Sequence, residues 1–419
     1  MPPSTMMLRA RMGAALLLVA CAPLAPAAET LTLDRALELA ERYSPRLQTA
    51  LAEVERANSS IRTARAFPNP ELEVLSGGVR ARVPGISSGQ GTSISIGQPI
   101  DLPSQRAPRI RAAEEGLAGS RFALDEARLM VRADVRQAFS TVLRRKAEYE
   151  LALDNQRLLE QIRNRIELRV KVGEGPKFEL TRSEAELQVA ANQTQSARLR
   201  VTQALATLRV LVGAPLPVDT DVAGDLPGVV PVASLEELRQ QMLDRYPALR
   251  QAQADVRRLQ ARVEAERSLR VPRPTLFAGV DQDPEQRRSI FGVAVPIPLW
   301  DQRQGPIGEA AAQFQQAVSA SELRRLELNG DLEVNHSRLL VARQQIQAFE
   351  GGLLKQAENA LKVAENAFRF GERGFIEVLD AQRVLRSVRA DFLNARFEKQ
   401  SALIEIDRLT AKDLPGDSR

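Results

Sequence analysis

The 419-residue sequence contains one cysteine, Cys21, and one histidine, His336. A lone cysteine forms no internal disulfide, and no Cys/His set stands at metal-ligand spacing. His336 lies in a helical stretch with no cysteine near it. No phosphate-binding loop or nucleophile motif accompanies it, so catalysis has no foothold. An enzyme is not expected, nor is a cofactor or a resident metal. Aromatic residues make up only 4% of the chain, too few for a thick globular core. Abundant Ala, Leu, Arg, Glu and Gln fit long helices packed side by side. Long apolar runs are missing too. No stretch approaches about 18 uninterrupted apolar residues, which excludes a membrane-spanning helix and leaves strands or a lipid as the means of membrane contact. Charge of one sign is also absent as a block. The 58 basic and 53 acidic residues are evenly mixed, which leaves nucleic acid without a binding patch.

Proline is missing over two long stretches, 67 residues between Pro108 and Pro176, and again from Pro306 to Pro415. At 1.5 Å per residue, a helix of that first length is roughly 100 Å long, beyond any globular domain. Each stretch follows a pair of strand-like segments. Ahead of both, Arg9 and Arg11, the apolar run Gly13–Ala20 and Ala25-Pro26-Ala27 read as a secretory signal over residues 1–28. Leu18-Val19-Ala20-Cys21 also has the look of a lipoprotein processing site, so lipidation at Cys21 and cleavage at Ala27 or Ala28 both stand open. The first helix begins near Thr32, and the ten residues after Cys21 span at most about 35 Å, a short reach for an anchor.

The chain is duplicated. Thr32-Leu33-Asp34 recurs as Ser234-Leu235-Glu236, and Arg42-Tyr43 with Pro45 recurs as Arg245-Tyr246 with Pro247. Pro99-Ile100-x-Leu102-x-x-Gln105-Arg106 recurs as Pro296-Ile297-x-Leu299-x-x-Gln302-Arg303, and Gly173-Glu174 as Gly371-Glu372. Landmarks in one order at a near-constant offset mark a repeat. Residues 29–213 form the first repeat, 214–233 a linker, 234–411 the second repeat, and 412–419 a tail. Each repeat reads helix, hairpin, very long helix, tight turn, helix. The predicted helices cover 33–66, 105–172 and 177–213, then 235–270, 306–370 and 375–411. The hairpins lie at 70–97 and 274–297, and the turns at 173–176 and 371–374. Ser234 with Glu237 makes a capping box. Glu71–Val74 and Ser93–Ile96 alternate polar and apolar, so one face meets grease and the other water. Phe291, Val293 and Val295 share a face in the second hairpin, and Trp300 follows it at an interfacial position. The Gly351-Gly352 pair sits in mid-helix and marks a kink or a helix contact.

Four strands of about ten residues match tilted membrane crossings. They cannot close a barrel alone, because open sheet edges are not tolerated in lipid. Three chains would supply twelve strands and leave a passage, where eight would be filled by side chains. The expected fold is therefore mainly α with a small membrane β-barrel contribution, a trimeric α/β barrel with long helices continuing its wall. Alternating strands argue against a periplasmic coiled-coil scaffold, as do irregular heptads.

The mature chain resembles the TolC family of outer-membrane efflux ducts. The resemblance is carried by Leu31–Leu37, the two repeats, the turns Val172-Gly173 and Phe370-Gly371, and the segment Gly371–Ala381. Val295–Gly305 is similar to the CzcC-type branch, which serves heavy-metal cation pumps. The resemblance implies a homotrimer in the outer membrane of a Gram-negative bacterium. It also implies a periplasmic adaptor, a proton-driven inner-membrane pump of the RND type, and passive export of divalent metal cations. Export of drugs, solvents or secreted polypeptides is the alternative cargo. In the family, turns such as those at Gly173 and Gly371 form the periplasmic tip that docks the adaptor and closes the pore. Glu377 and Asp380 match a carboxylate constriction, with Glu179 in the other repeat, and Arg373 matches a gate position. Arg182 and Arg373 are the basic partners. Repeat one departs from the pattern, with Arg182 where repeat two has Asp380, which implies a mixed-charge ring. Acidic residues in a first turn are favoured by the helix dipole in any case.

Overall fold

A computed structural model describes residues 30–414, apart from 81, 83, 84, 86, 218, 219 and 226–232. The export signal and Cys21 lie outside the described residues. The first half runs α1 (Leu33–Tyr43), α2 (Pro45–Arg65), β1 (Glu71–Val79), β2 (Gly89–Pro99), α3 (Pro103–Lys171) and α4 (Lys177–Val212). The second runs α5 (Leu235–Arg245), α6 (Pro247–Ser268), β3 (Thr275–Gln282), β4 (Arg287–Ala294), α7 (Gln304–Ala348), α8 (Leu354–Arg369) and α9 (Phe375–Leu409). The 69 residues of α3 make a rod of roughly 100 Å. Among the described residues no helix is long and apolar enough to cross a membrane.

Capping begins each half. Thr32 Oγ1 accepts from the Arg35 amide at 3.3 Å. Ser234 and Glu237 close a reciprocal capping box. The expected helices 33–66 and 235–270 are each two helices, broken at Ser44 and Tyr246. Both residues precede a proline, whose ring clashes with a helical conformation one position back. They adopt ψ of 120° and 122° instead.

The expected helix 306–370 is interrupted by a π-bulge at Phe349–Leu353, where Gly352 takes φ 142°. The glycine pair is thus a kink, beside an edge-to-face contact between Phe349 and Phe392. A side chain at Gly352 meets backbone strain, whereas one at Gly351 meets nothing within 4 Å. Gly352→Ala is expected to destabilise the chain by about 1–3 kcal/mol. Gly351→Ala should stabilise it by up to about 1 kcal/mol. Denaturant melts of the two variants compare them directly, and equal midpoints would remove the kink as a site of strain.

α3 touches α2 and α4 from its own half and α6 and α9 from the other, while α7 touches α6 and α9. The members of each pair meet end to end. Gly213 closes α4 in the left-handed conformation, and a Cβ there would lie 3.0 Å from the Tyr43 carbonyl. At the matching joint Arg408 donates to Tyr246 Oη at 2.6 Å. Two cores form around these joints. One gathers Ala36, Leu37, Leu47, Val135, Phe139, Leu208 and Val212. The other gathers Met242, Tyr246, Leu249, Leu332, Leu339, Ile406 and Leu409. A third core, at the far end of α3, sits beneath the two turns.

Candidate functional site

The strands form one antiparallel sheet in the order β1-β2-β3-β4, so β2 and β3 join the two halves. Registered pairs place Leu72, Ile96, Ala278 and Phe291 in one row, and Val74, Ile94 and Val280 in the next. Leu276 opposite Val293 extends the same face. Side chains of directly opposed residues share a face. This face therefore carries a central apolar band, flanked by Thr92, Gln282 and Arg287 at one end and Gln98 at the other, and Leu72, Val74, Ile94, Ile96, Phe291 and Val293 are all exposed. The reverse face carries Glu71, Glu73, Ser93, Ser95, Asp281 and Arg288, and Ser93 donates to Asp281 at 2.6 Å. Phe277 on that side fills the space above Gly292, where a Cβ would lie 2.4 Å from its ring. β4 stops at Ala294, so Val295 lies past the strand and does not share the ladder face. Trp300 is 94% exposed beyond it. Among the described residues both outer edges, on β1 and β4, are unpaired.

At the opposite end of α3 two turns of the same construction lie together. After Lys171 the chain passes through Gly173 at φ 82°, and after Arg369 through Gly371 at φ 77°. The Glu174 amide donates to the Arg169 carbonyl and the Glu372 amide to the Ala367 carbonyl, both at 2.9 Å. This six-residue closure with a left-handed glycine is how helices end cleanly. Phe368 and Phe375, on either side of the second turn, are buried with ring centroids 6.4 Å apart. The Arg169 guanidinium lies 5.7 Å from the Phe368 ring, which joins one turn to the other. Around them Leu168, Val172, Phe178, Phe370 and Ile376 are exposed.

Glu179 and Arg182 stand in the first turns of α4, half-buried, and make no ion pair with each other. Arg373, Glu377 and Asp380 are exposed at the start of α9. Arg373 holds Glu377 at 3.1 Å. The sequence reading missed the partner of Asp380. Arg383, one further turn along, lies 4.0 Å from Asp380 and 2.6 Å from Glu186 of α4. Arg386 extends the link by donating to Gln193 at 3.1 Å. Glu186 continues the face of Glu179 and Arg182, as Arg383 continues that of Glu377 and Asp380. That three-to-four-residue spacing was the available signal. The array holds four carboxylates against four guanidiniums. Its pairs are partly solvated, so each contributes about 1 kcal/mol at most and is exchanged at little cost. Beneath it, Gln382 donates to Asn155 in a buried contact between α9 and α3. His336 is half-buried on α7, far along the chain from both ends of this arrangement.

The two-faced sheet at one end of a long helical wall is thus matched by charged, glycine-closed turns at the other. Residues 36–214 and 238–412 match the family described as outer membrane efflux protein. The chain is 29% identical to the cobalt-zinc-cadmium resistance protein CzcC of Cupriavidus metallidurans, over 92% of this chain and 91% of that protein. It is 27% identical to the nickel-cobalt-cadmium resistance protein NccC of Alcaligenes xylosoxydans xylosoxydans, over 76% and 72%. The Campylobacter jejuni CmeC outer membrane channel superposes with a TM-score of 0.78 over 92% of this chain and 87% of that one, at 16% identity. With two matched segments that cover both halves of its helical wall and sheet, this chain belongs to the outer membrane efflux protein family.

Proposed function

We propose that three copies of this chain form an outer-membrane duct for divalent heavy-metal cations. A periplasmic adaptor would join it to a proton-driven inner-membrane pump of the RND type. The observation that carries the duct is the two-faced sheet with both edges open, set at one end of a roughly 100 Å helical wall. Lipid does not tolerate such edges, so they must be closed by further copies. The cargo rests on the resistance proteins to which the chain is similar over most of its length. Energy comes from the pump, because the duct holds no nucleotide-binding motif.

The tip carries the selectivity and the docking. Gly173 and Gly371 shape the turns against which the adaptor seats. Glu179, Arg182, Arg373, Glu377 and Asp380 line the constriction, and threefold repetition turns them into mixed-charge rings. Rings of carboxylates favour cations. Glu377→Ala with Asp380→Ala is expected to lower cation preference in single-channel recordings from planar bilayers. Unchanged selectivity would remove these residues from the constriction.

Deleting the gene and measuring growth against zinc, cobalt, cadmium, nickel, copper and silver tests the cargo, alongside a panel of dyes and antibiotics. Sensitivity to one or a few of the metals is expected. Sensitivity to the organic compounds alone would keep the duct and discard the metal reading.

A further inference from the structure

The apolar face of the sheet ends in an arginine to which the described residues supply no counter-charge. Past Val74, Ile94, Val280 and Ser289, the next row on this face is Ser76, Thr92, Gln282 and Arg287, all exposed. Arg287 makes no ion pair among the described residues. The acids of its own turn are engaged elsewhere. Asp283 accepts from the Glu285 and Gln286 amides at 2.9 and 2.7 Å, and Glu285 accepts from the Ser87 amide at 2.7 Å. Arg80, exposed just past β1, adds charge to the same end of the sheet. The opposite end of this face differs. Its polar residue, Gln98, already gives its amide to the Pro68 and Pro99 carbonyls, both at 3.0 Å.

Beside the arginine the face is hollowed. A groove of about 570 Å³ runs from Leu72 and Phe291 past Ile94 and Val280 to Gln282 and Arg287. Its floor is apolar and its turn end carries a guanidinium, so it offers a surface to each end of an anionic amphiphile. Depth agrees with this. A cationic side chain facing lipid costs about 2–4 kcal/mol at the bilayer midplane and about 0–1 near the interface. Arg287 lies two residues, about 7 Å along the strand, beyond Ser289, at the edge of the apolar band. The helices leave the sheet from the other end, so the turn end meets the outer leaflet, which is built of phosphorylated glycolipid.

We propose that Arg287 binds the phosphate of a phosphorylated glycolipid of the outer leaflet, with an acyl chain lying along the groove over Ile94, Val280 and Phe291. The inference rests on the outer-membrane duct proposed above and adds the lipid that its outward face selects. A guanidinium presents a planar fork to two phosphate oxygens. The Gln282 amide and the Thr92 hydroxyl, in the same row, are further donors. Arg288 carries the same charge one residue along, but on the reverse face, opposite Asp281.

That neighbour makes the test specific. Detergent-solubilised full-length protein is titrated with purified lipid A, a glycolipid bearing two phosphates, and bound lipid is counted by native mass spectrometry. Arg287→Ala is expected to weaken binding about tenfold, the loss of one charge-assisted contact. Arg287→Gln, which keeps a donor without the charge, should lose nearly as much and gives a second reading of the same contact. Arg288→Ala should bind as wild type does. Lipid A stripped of its phosphates should no longer distinguish wild type from Arg287→Ala. Equal binding by wild type and both Arg287 variants overturns the site, as does an equal loss in Arg288→Ala. Displacement of lipid A by an equal concentration of inorganic phosphate would leave a bare anion site and overturn the glycolipid. Wild-type trimer in outer-membrane fractions without a lipid difference removes this inference and keeps the duct. A wild-type protein absent from those fractions removes both.

Discussion

Arg136→Ala should destabilise this protein by up to about 3 kcal/mol, the cost of leaving two largely buried carboxylates short of counter-charge. Arg136, in the middle of α3, donates to Asp407 at 2.8 Å and to Asp413 at 2.7 Å, one in the last turns of α9 and one just beyond it. The three side chains are only 17%, 18% and 25% exposed. Burial pulls the guanidinium's pKa down, but the hydrogen bond to Asp407 and the charges of both aspartates outweigh it, so the net shift is upward. A base raised in the folded state stabilises it below its unfolded pKa and loses that only as pH rises through the folded value. Arginine titrates above about 12, so this contribution should be constant across neutral and mildly alkaline pH. Lys412, 3.5 Å from Asp407, compensates only one of the two acids. Arg136→Lys keeps the charge but not the fork that reaches both, and should fall between wild type and alanine. Denaturant midpoints in detergent measure the series. An alanine variant as stable as wild type would show that the network contributes nothing.

The second large effect concerns the sheet. Ile96 stands in the apolar row between Leu72 and Ala278, and arginine there would face hydrocarbon. The expected cost is about 2–4 kcal/mol per chain near the middle of a bilayer, and assembly of several copies multiplies it. Ile96→Arg should therefore abolish outer-membrane assembly, read as loss of heat-resistant trimer from membrane fractions. Glu73→Arg, on the reverse face of β1, should assemble normally. If both variants assemble alike, the apolar face does not meet lipid.

Much of this architecture was legible because it is periodic. Strict alternation in Ser93–Ile96 and proline-free stretches of helix formers constrain local structure strongly, and a duplicated landmark is visible without any fold. The breaks at Ser44 and Tyr246 were equally available, since Pro45 and Pro247 disfavour a helical conformation one position back. The glycine pair announced an irregularity at 351–352 without saying which. Its outcome, a π-bulge against Phe392, depends on what α9 places beside it.

At the tip, spacing alone grouped Glu377 with Asp380 and Glu179 with Arg182, because each pair lies within one helix. It did not reveal Arg383 and Glu186, 197 residues apart and in contact only because α4 and α9 both pack on α3. The same holds for Arg136 with Asp407 and Asp413, and for Gln105 with Arg273. Sequence by itself determined the elements, their order and their two-faced strands, since these follow from backbone sterics and hydrophobic period within short windows. Tertiary structure decided which charges meet, because ion pairs between distant helices depend on the register in which those helices pack, and no local pattern encodes it.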